Sequence, residues 1–91
     1  MAEAASIVAL EHGLTVAELR SRTRSWRIAH PRQAAMALMR AQTRPSGKPR
    51  FSYQQIARYF GMHNHSTCVH ALRVIRARQA LRQAAYEWVF R

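Results

Sequence analysis

At 91 residues the chain has room for one small domain with its own core, and not for a catalytic domain plus a second module. A hydrophobic fraction of 48%, with only three Gly and three Pro, excludes a disordered tail and favours helix. Fifteen Lys and Arg against four acids give a formal net charge of +11, which calls for a polyanionic partner, nucleic acid before any other.

The distribution of charge is sharper than its total. The acids are Glu3, Glu11, Glu18 and Glu87, so positions 19–86 hold none while carrying fourteen of the fifteen cations. All cations but Lys48 are Arg, whose planar fork pairs bidentately with a phosphate or a guanine edge. A single cysteine, Cys68, excludes an internal disulfide and fits a reducing cytosol. There is no charged leader followed by an apolar run, and nothing approaches the ~18 apolar residues of a membrane span. The expectation is a soluble, cytoplasmic, nucleoid-associated protein with no membrane contact and no cofactor.

Residues 3–12 read as a first helix with Ile7, Val8 and Leu10 inward, ended by Gly13. Thr15 and Glu18 form a capping box that opens a short second helix burying Val16 and Leu19. Residues 20–30 alternate cations with small polar residues and lack a clean period, so they read as a basic loop. Pro31 suits the first position of a third helix, which runs to about Gln42 with Ala34, Ala35, Leu38 and Met39 available for burial. Residues 44–50, RPSGKPR, form a basic, turn-rich connection. Ser52 and Gln55 make a second capping box for a fourth helix through Phe60, with Ile56, Ala57 and Phe60 inward. After Gly61, either Asn64 or Ser66 caps a fifth helix with Cys68, Val69, Leu72 and Ile75 on one face. Ser66, His70, Arg73 and Ala77 share the other face. The tail, with Leu81, Ala84, Ala85, Trp88 and Val89 at helical spacing, continues this helix or follows it after a bend.

A short helix, a Gly-containing turn and a longer helix with a polar outer face make a helix-turn-helix. In that motif the second helix enters the major groove N-terminus first. His63, Asn64, His65, Ser66 and Thr67 stand there, short hydrogen-bonding side chains rather than long cations that only grip phosphate. The expected fold is therefore all-α, a bundle of five to six helices in one domain over residues 1–91, the core spanning 1–78 and a helical extension 79–91.

These residues resemble a known family. AHPRQAAMALMRAQT (29–43) and SYQQIARYFGMHNHSTCVHALRVI (52–75) are similar to domain IV of the bacterial replication initiator DnaA, a duplex-reading relative of Trp-repressor-like helix-turn-helix proteins. That domain carries a segment near RPRQ-x-AMYLA and then FGGRDHTTV-x-HA. The similarity covers residues 6–78. The resemblance implies that Arg24, flanked by Arg22 and Arg27, enters the minor groove from the basic loop. It implies that Arg32 and Gln33 hold phosphates at a helix N-terminus, and that Arg40 reaches the major groove. Asn64, His65, Ser66 and Thr67 occupy the places of the base-reading Asp-His-Thr-Thr, beside His63, and Arg73 extends that face. The target implied is a short box, A·T-rich at one end.

Two departures stand out. Residues 44–50 are longer than the family's connection, and Arg44, Lys48 and Arg50 add candidate DNA-backbone contacts. Gly-Arg-Asp-His becomes Met62-His63-Asn64-His65; Asp accepts from cytosine whereas Asn pairs with adenine, so the box is expected to be related rather than identical. These 91 residues also hold no G-x-x-x-x-G-K-[ST] phosphate loop, so no ATPase is expected of them. A reader of this kind would occlude boxes, regulate transcription or replication, or dock another protein on DNA.

Other readings compete. His63, His65 and His70 near Cys68 invite a metal, but a zinc site needs four converging ligands and these crowd one helix start. His63-Asn64-His65 spells a nuclease motif, yet no acid lies nearby to hold a cation, so no catalytic or metal residue is assigned. Cys68 is a small core residue on this reading. Trp26 either stacks on a sugar or covers the core. Trp88 and Phe90 either expose a patch for a homodimer or a partner protein, or fold back over the bundle. A protein adaptor with weak DNA binding is the main rival, and a structural RNA binder the next.

Overall fold

The computed structural model describes residues 1–62 and 64–89. Five helices carry these residues: α1 (Ala2–Glu11), α2 (Val16–Leu19), α3 (Trp26–Ala41), α4 (Tyr53–Tyr59) and α5 (Ser66–Val89). One antiparallel bridge, Thr43 to Pro49, closes the connection before α4. The architecture is all-α, and among the described residues no strand forms.

Small residues bring α1 against α3. Ala4, Ala5, Val8 and Ala9 are buried, whereas Ile7 is 47% and Leu10 83% exposed. The expected inward trio of Ile7, Val8 and Leu10 therefore holds only at Val8. At 100° per residue the four buried positions share one side of α1 and the two larger side chains fall on the other, and the alanines allow the closer approach. Both capping boxes form: the Thr15 hydroxyl accepts from the Glu18 N–H and the Ser52 hydroxyl from the Gln55 N–H, each answered by the Glu or Gln side chain.

The third helix corrects the sequence reading. It begins at Trp26, so Pro31 lies inside it and residues 26–30 are helical rather than loop. Pro31 has no N–H for the Arg27 carbonyl, a cost of about 3 kcal/mol, and its ring is buried. The first turns of α3 are tied to α5 by a ring and a cation. Trp26 and His30 meet edge to face at 4.1 Å, and Arg78 donates to His30 Nε2 while its guanidinium lies 5.9 Å from the Trp26 ring. One tertiary partner, Arg78, engages both rings and outweighs the absence of a clean period in RSRTRSWRIAH.

The core gathers around α3. Met36, Met39, Leu19, Ile56 and Cys68 are fully buried, with Ala35, Ala57, Phe60 and Ala71 beside them. Leu38, expected to be available for burial, is 37% exposed, on the side of α3 away from this core. The thiol of Cys68 is pushed up to about 11 by burial, against the opposing charge of Arg40, so it stays protonated. The tail continues α5 without a bend; its last turns leave the bundle, with Leu81 71%, Trp88 78% and Val89 68% exposed.

The α4–α5 turn passes through Gly61 at φ +71°, with nothing within 4 Å of where a Cβ would sit. Only backbone strain opposes a side chain there. Gly61→Ala is therefore expected to cost about 1 kcal/mol in a denaturant titration, and Gly61→Asn, which tolerates this conformation, less.

His30 has its pKa lowered, first by burial and then by the charge of Arg78. Its neutral form is the one that accepts from Arg78, so its contribution to stability is whole above the ordinary value near 6.5 and is lost as pH falls through the lowered folded value. Thermal midpoints measured at about pH 7.5 and about pH 5 should fall further for the native chain than for His30→Gln, whose amide oxygen accepts at any pH.

Candidate nucleic-acid interface

Between α2 and α3 the chain has no repeating backbone bonds, and Arg32 supplies them. From α3, its Nε donates to the Leu19 carbonyl at 3.0 Å, and one terminal nitrogen donates to the carbonyls of Ser21 and, at 3.1 Å, Thr23. The side chain is 7% exposed. Burial lowers its pKa, yet a guanidinium remains charged at neutral pH. Its Nε and one terminal nitrogen are thus engaged by the carbonyls of Leu19, at the end of α2, and of Ser21 and Thr23 in the basic loop. The residue also lines a cleft shared with the start of α5. Gln33 beside it is half-buried with its Oε1 unpartnered, leaving the amide nitrogen as the end able to donate.

The other edge of the loop is fastened to the helix-turn-helix. Arg20 donates to the Tyr59 carbonyl at 2.8 Å and lies 4.4 Å over the Tyr59 ring, and Arg22 donates to the Gly61 carbonyl at 3.3 Å. These contacts join positions 39 apart in sequence. Nothing in spacing or composition marked Arg20 or Tyr59 for this part. A cleft of about 630 Å³ results, lined by Arg22, Thr23 and Arg24 of the loop, by Ala29 and Arg32 of α3, and by Gly61, Met62, Asn64 and Thr67. The basic loop and the start of α5, read from the sequence as two separate features, therefore share one surface. Arg27 projects from the first turn of α3 and is exposed.

Asn64 caps α5: its Oδ1 accepts from the Ser66 N–H at 3.0 Å. The amide nitrogen of that side chain carries two donor hydrogens. His65, Ser66 and Thr67 are exposed, and so are His70 and Arg73 farther along the same face. His63 lies outside the described residues. Arg40 is half-buried; its Nη1 donates to the Phe51 carbonyl at 2.9 Å and its guanidinium stacks 3.8 Å from the Tyr53 ring. This cation fixes the start of α4, and only its remaining nitrogens face outward chemistry.

Residues 44–50 fold as a short hairpin, with the Gly47 N–H on the Arg44 carbonyl, the Arg44 N–H on Lys48 and the Arg50 N–H on Gln42. Arg44, Lys48 and Arg50 are all exposed on it. Among the described residues no three His, Cys, Asp or Glu side chains converge as metal ligands. No helix there is long and apolar enough to cross a membrane. The surface offers cations and small hydrogen-bonding groups to a polyanion.

Residues 2–75 match the family model described as the bacterial dnaA protein helix-turn-helix. Over 70 residues, 77% of this chain, the sequence is 39% identical to the chromosomal replication initiator protein DnaA of Sphingopyxis alaskensis, of which that stretch is 14%. The chain thus spans about one seventh of that relative, and residues 76–91 lie beyond the family match. No solved structure matches.

Arg32→Ala would leave the carbonyls of Leu19, Ser21 and Thr23 without their donor. It is expected to lower stability by about 2–4 kcal/mol, a drop in thermal midpoint of ~10 °C or more. The salt dependence of DNA binding by the folded fraction reports on the phosphate contact expected of this residue, whose loss reduces the slope by about one unit.

Proposed function

Because the chain belongs to the bacterial DnaA helix-turn-helix family, a family of DNA-binding domains, we propose that it reads double-stranded DNA sequence-specifically at boxes related to those of DnaA. The role is regulatory, in transcription or replication, and these residues perform no catalytic step. The observation that carries this reading is the shared cleft, which sets Arg22 and Arg24 across from Asn64 and Thr67. A duplex lying over it would receive the first turn of α5 in its major groove and the basic loop in the neighbouring minor groove.

The roles divide by chemistry. Asn64, His65, Ser66 and Thr67, with His63 before them, meet base edges, and Arg73 follows along the groove. Arg22 and Arg24 enter the minor groove, with Arg27 at its mouth. Gln33, Lys48 and Arg50 grip backbone, joined by the remaining terminal nitrogen of Arg32, and the outer nitrogens of Arg40 reach toward the major groove. The Asn64 cap favours its amide nitrogen as donor, hence an acceptor such as a purine N7 at that base.

The test is selection of bound sequences from a random duplex library. The winner is then titrated against a scrambled duplex by fluorescence anisotropy at several salt concentrations. A box bound ~10³-fold tighter than scrambled DNA is expected. Asn64→Ala or His65→Ala should cost about 1–3 kcal/mol on the box and much less on scrambled DNA. Arg24→Ala should weaken the box, most of all where its A·T pairs narrow the minor groove. If every substitution weakens both duplexes equally, or no box is enriched, the reading of bases from this cleft is wrong.

A further inference from the structure

The two long helices also form a groove on the side away from the cleft. Ala34, Ala37 and Ala41 of α3 and Ile75 of α5 floor a space of about 520 Å³, with Leu38 at its edge. The same lining carries His30, Arg78 and Arg82, and no acid. At 100° per residue, Ile75, Gln79 and Arg82 lie nearly opposite Ser66, His70, Arg73 and Ala77 on α5. A duplex held on the reading stripe leaves this face uncovered.

Two physical facts need a common explanation. Arg82 is an exposed cation, and Arg78 keeps its charge while holding His30 and Trp26. Both stand on a face remote from the proposed phosphate contacts, and no acid lines the groove beside them. Between them and α3 runs an apolar trough whose floor is mostly alanine, shallow enough to take another side chain. The stripe does not stop at the bundle. Tyr86 and Val89 continue the spacing of Ile75, Gln79 and Arg82, and both are exposed, at 60% and 68%. The cationic rim selects against a second copy of this chain, whose own surface is equally basic.

We propose that the α3–α5 groove docks an acidic, amphipathic helical segment of a partner protein, its apolar residues in the alanine-floored trough and its carboxylates on Arg78 and Arg82. Such a helix anchors through positions i, i+3, i+4 and i+7, the spacing that the trough and the stripe on α5 present. Charge complementarity sets orientation and encounter rate, and the buried apolar contacts set residence. Protein and DNA then occupy opposite faces of α5 at once, independently of which box is read.

The probe is a fluorescein-labelled synthetic peptide of ~18 residues, with Leu and Phe at i, i+3, i+4 and i+7 and Glu on the flanks. A scrambled peptide of the same composition is the control. Anisotropy and amide NMR shifts on the whole chain are followed with and without bound duplex. The patterned peptide should bind ~10-fold or more tighter than the scramble and shift amides of residues 34–41 and 75–82, with duplex present or absent. Ala37→Leu, which fills the floor, and the exposed Arg82→Glu should each weaken peptide binding ~10-fold while duplex affinity stays within about twofold. Equal binding of both peptides, indifference to both substitutions, or displacement of the peptide by duplex would overturn the proposal. So would loss of duplex affinity in Arg82→Glu, which would make the groove part of the DNA footprint.

Discussion

Arg32 is the interaction on which the reading surface depends. The segment between α2 and α3 carries the cations that face the start of α5, and like charges in a row repel. With no helix or strand to hold them, the loop would sample many shapes and each DNA contact would carry the entropy of ordering it. A buried guanidinium donating to the carbonyls of Leu19, Ser21 and Thr23 replaces the missing backbone ladder and sets the loop's path. The arrangement also explains why a charge is tolerated at so little exposure: three of its five N–H donors are matched by carbonyls.

The same solution recurs wherever the chain needs an arginine for structure. Positions 19 to 86 hold no acid, so most of the arginines have no acidic neighbour in sequence. Arg20 uses the carbonyl and ring of Tyr59, Arg22 the carbonyl of Gly61, and Arg40 the carbonyl of Phe51 and the ring of Tyr53. Arg78 uses His30 and Trp26. Carbonyls and aromatic faces hold a guanidinium in place without neutralising it, so the full positive field survives to attract a polyanion. Salt bridges would have organised these side chains equally well and cancelled the potential that the surface requires.

That economy decides how much was legible in the sequence. Features encoded by local pattern could be read: both capping boxes, the Gly61 turn, the inward Ile56, Ala57 and Phe60, and the polar face of α5 with Ser66, His70 and Arg73 outward. The error at α3 came from tertiary contact. RSRTRSWRIAH has no amphipathic period, and Pro31 is a persuasive helix start; Trp26 and His30 become helical because Arg78, 48 residues on, packs against them. Arg32 sits in a PRQ element that looks like an anion site, and only the fold shows that its fork also holds the carbonyls of Leu19, Ser21 and Thr23. Ile7 and Leu10 misled because apolar size suggests burial, while close packing against α3 required the alanines instead.

The economy also bears on α5, which with α3 lines both the cleft and the groove. Its first turn must be rigid to present Asn64 to Thr67, and that rigidity comes from the cap at Asn64 and from Cys68, Ala71 and Leu72 in the core. Its second half contributes little to the core and lies beyond the matched family segment, yet it carries Arg82 and a row of exposed apolar residues. Helical propensity alone would let those turns fray in water, because most helix stability in proteins comes from packing. A partner helix seated in the groove against α3 would give those turns the packing that their own core does not supply.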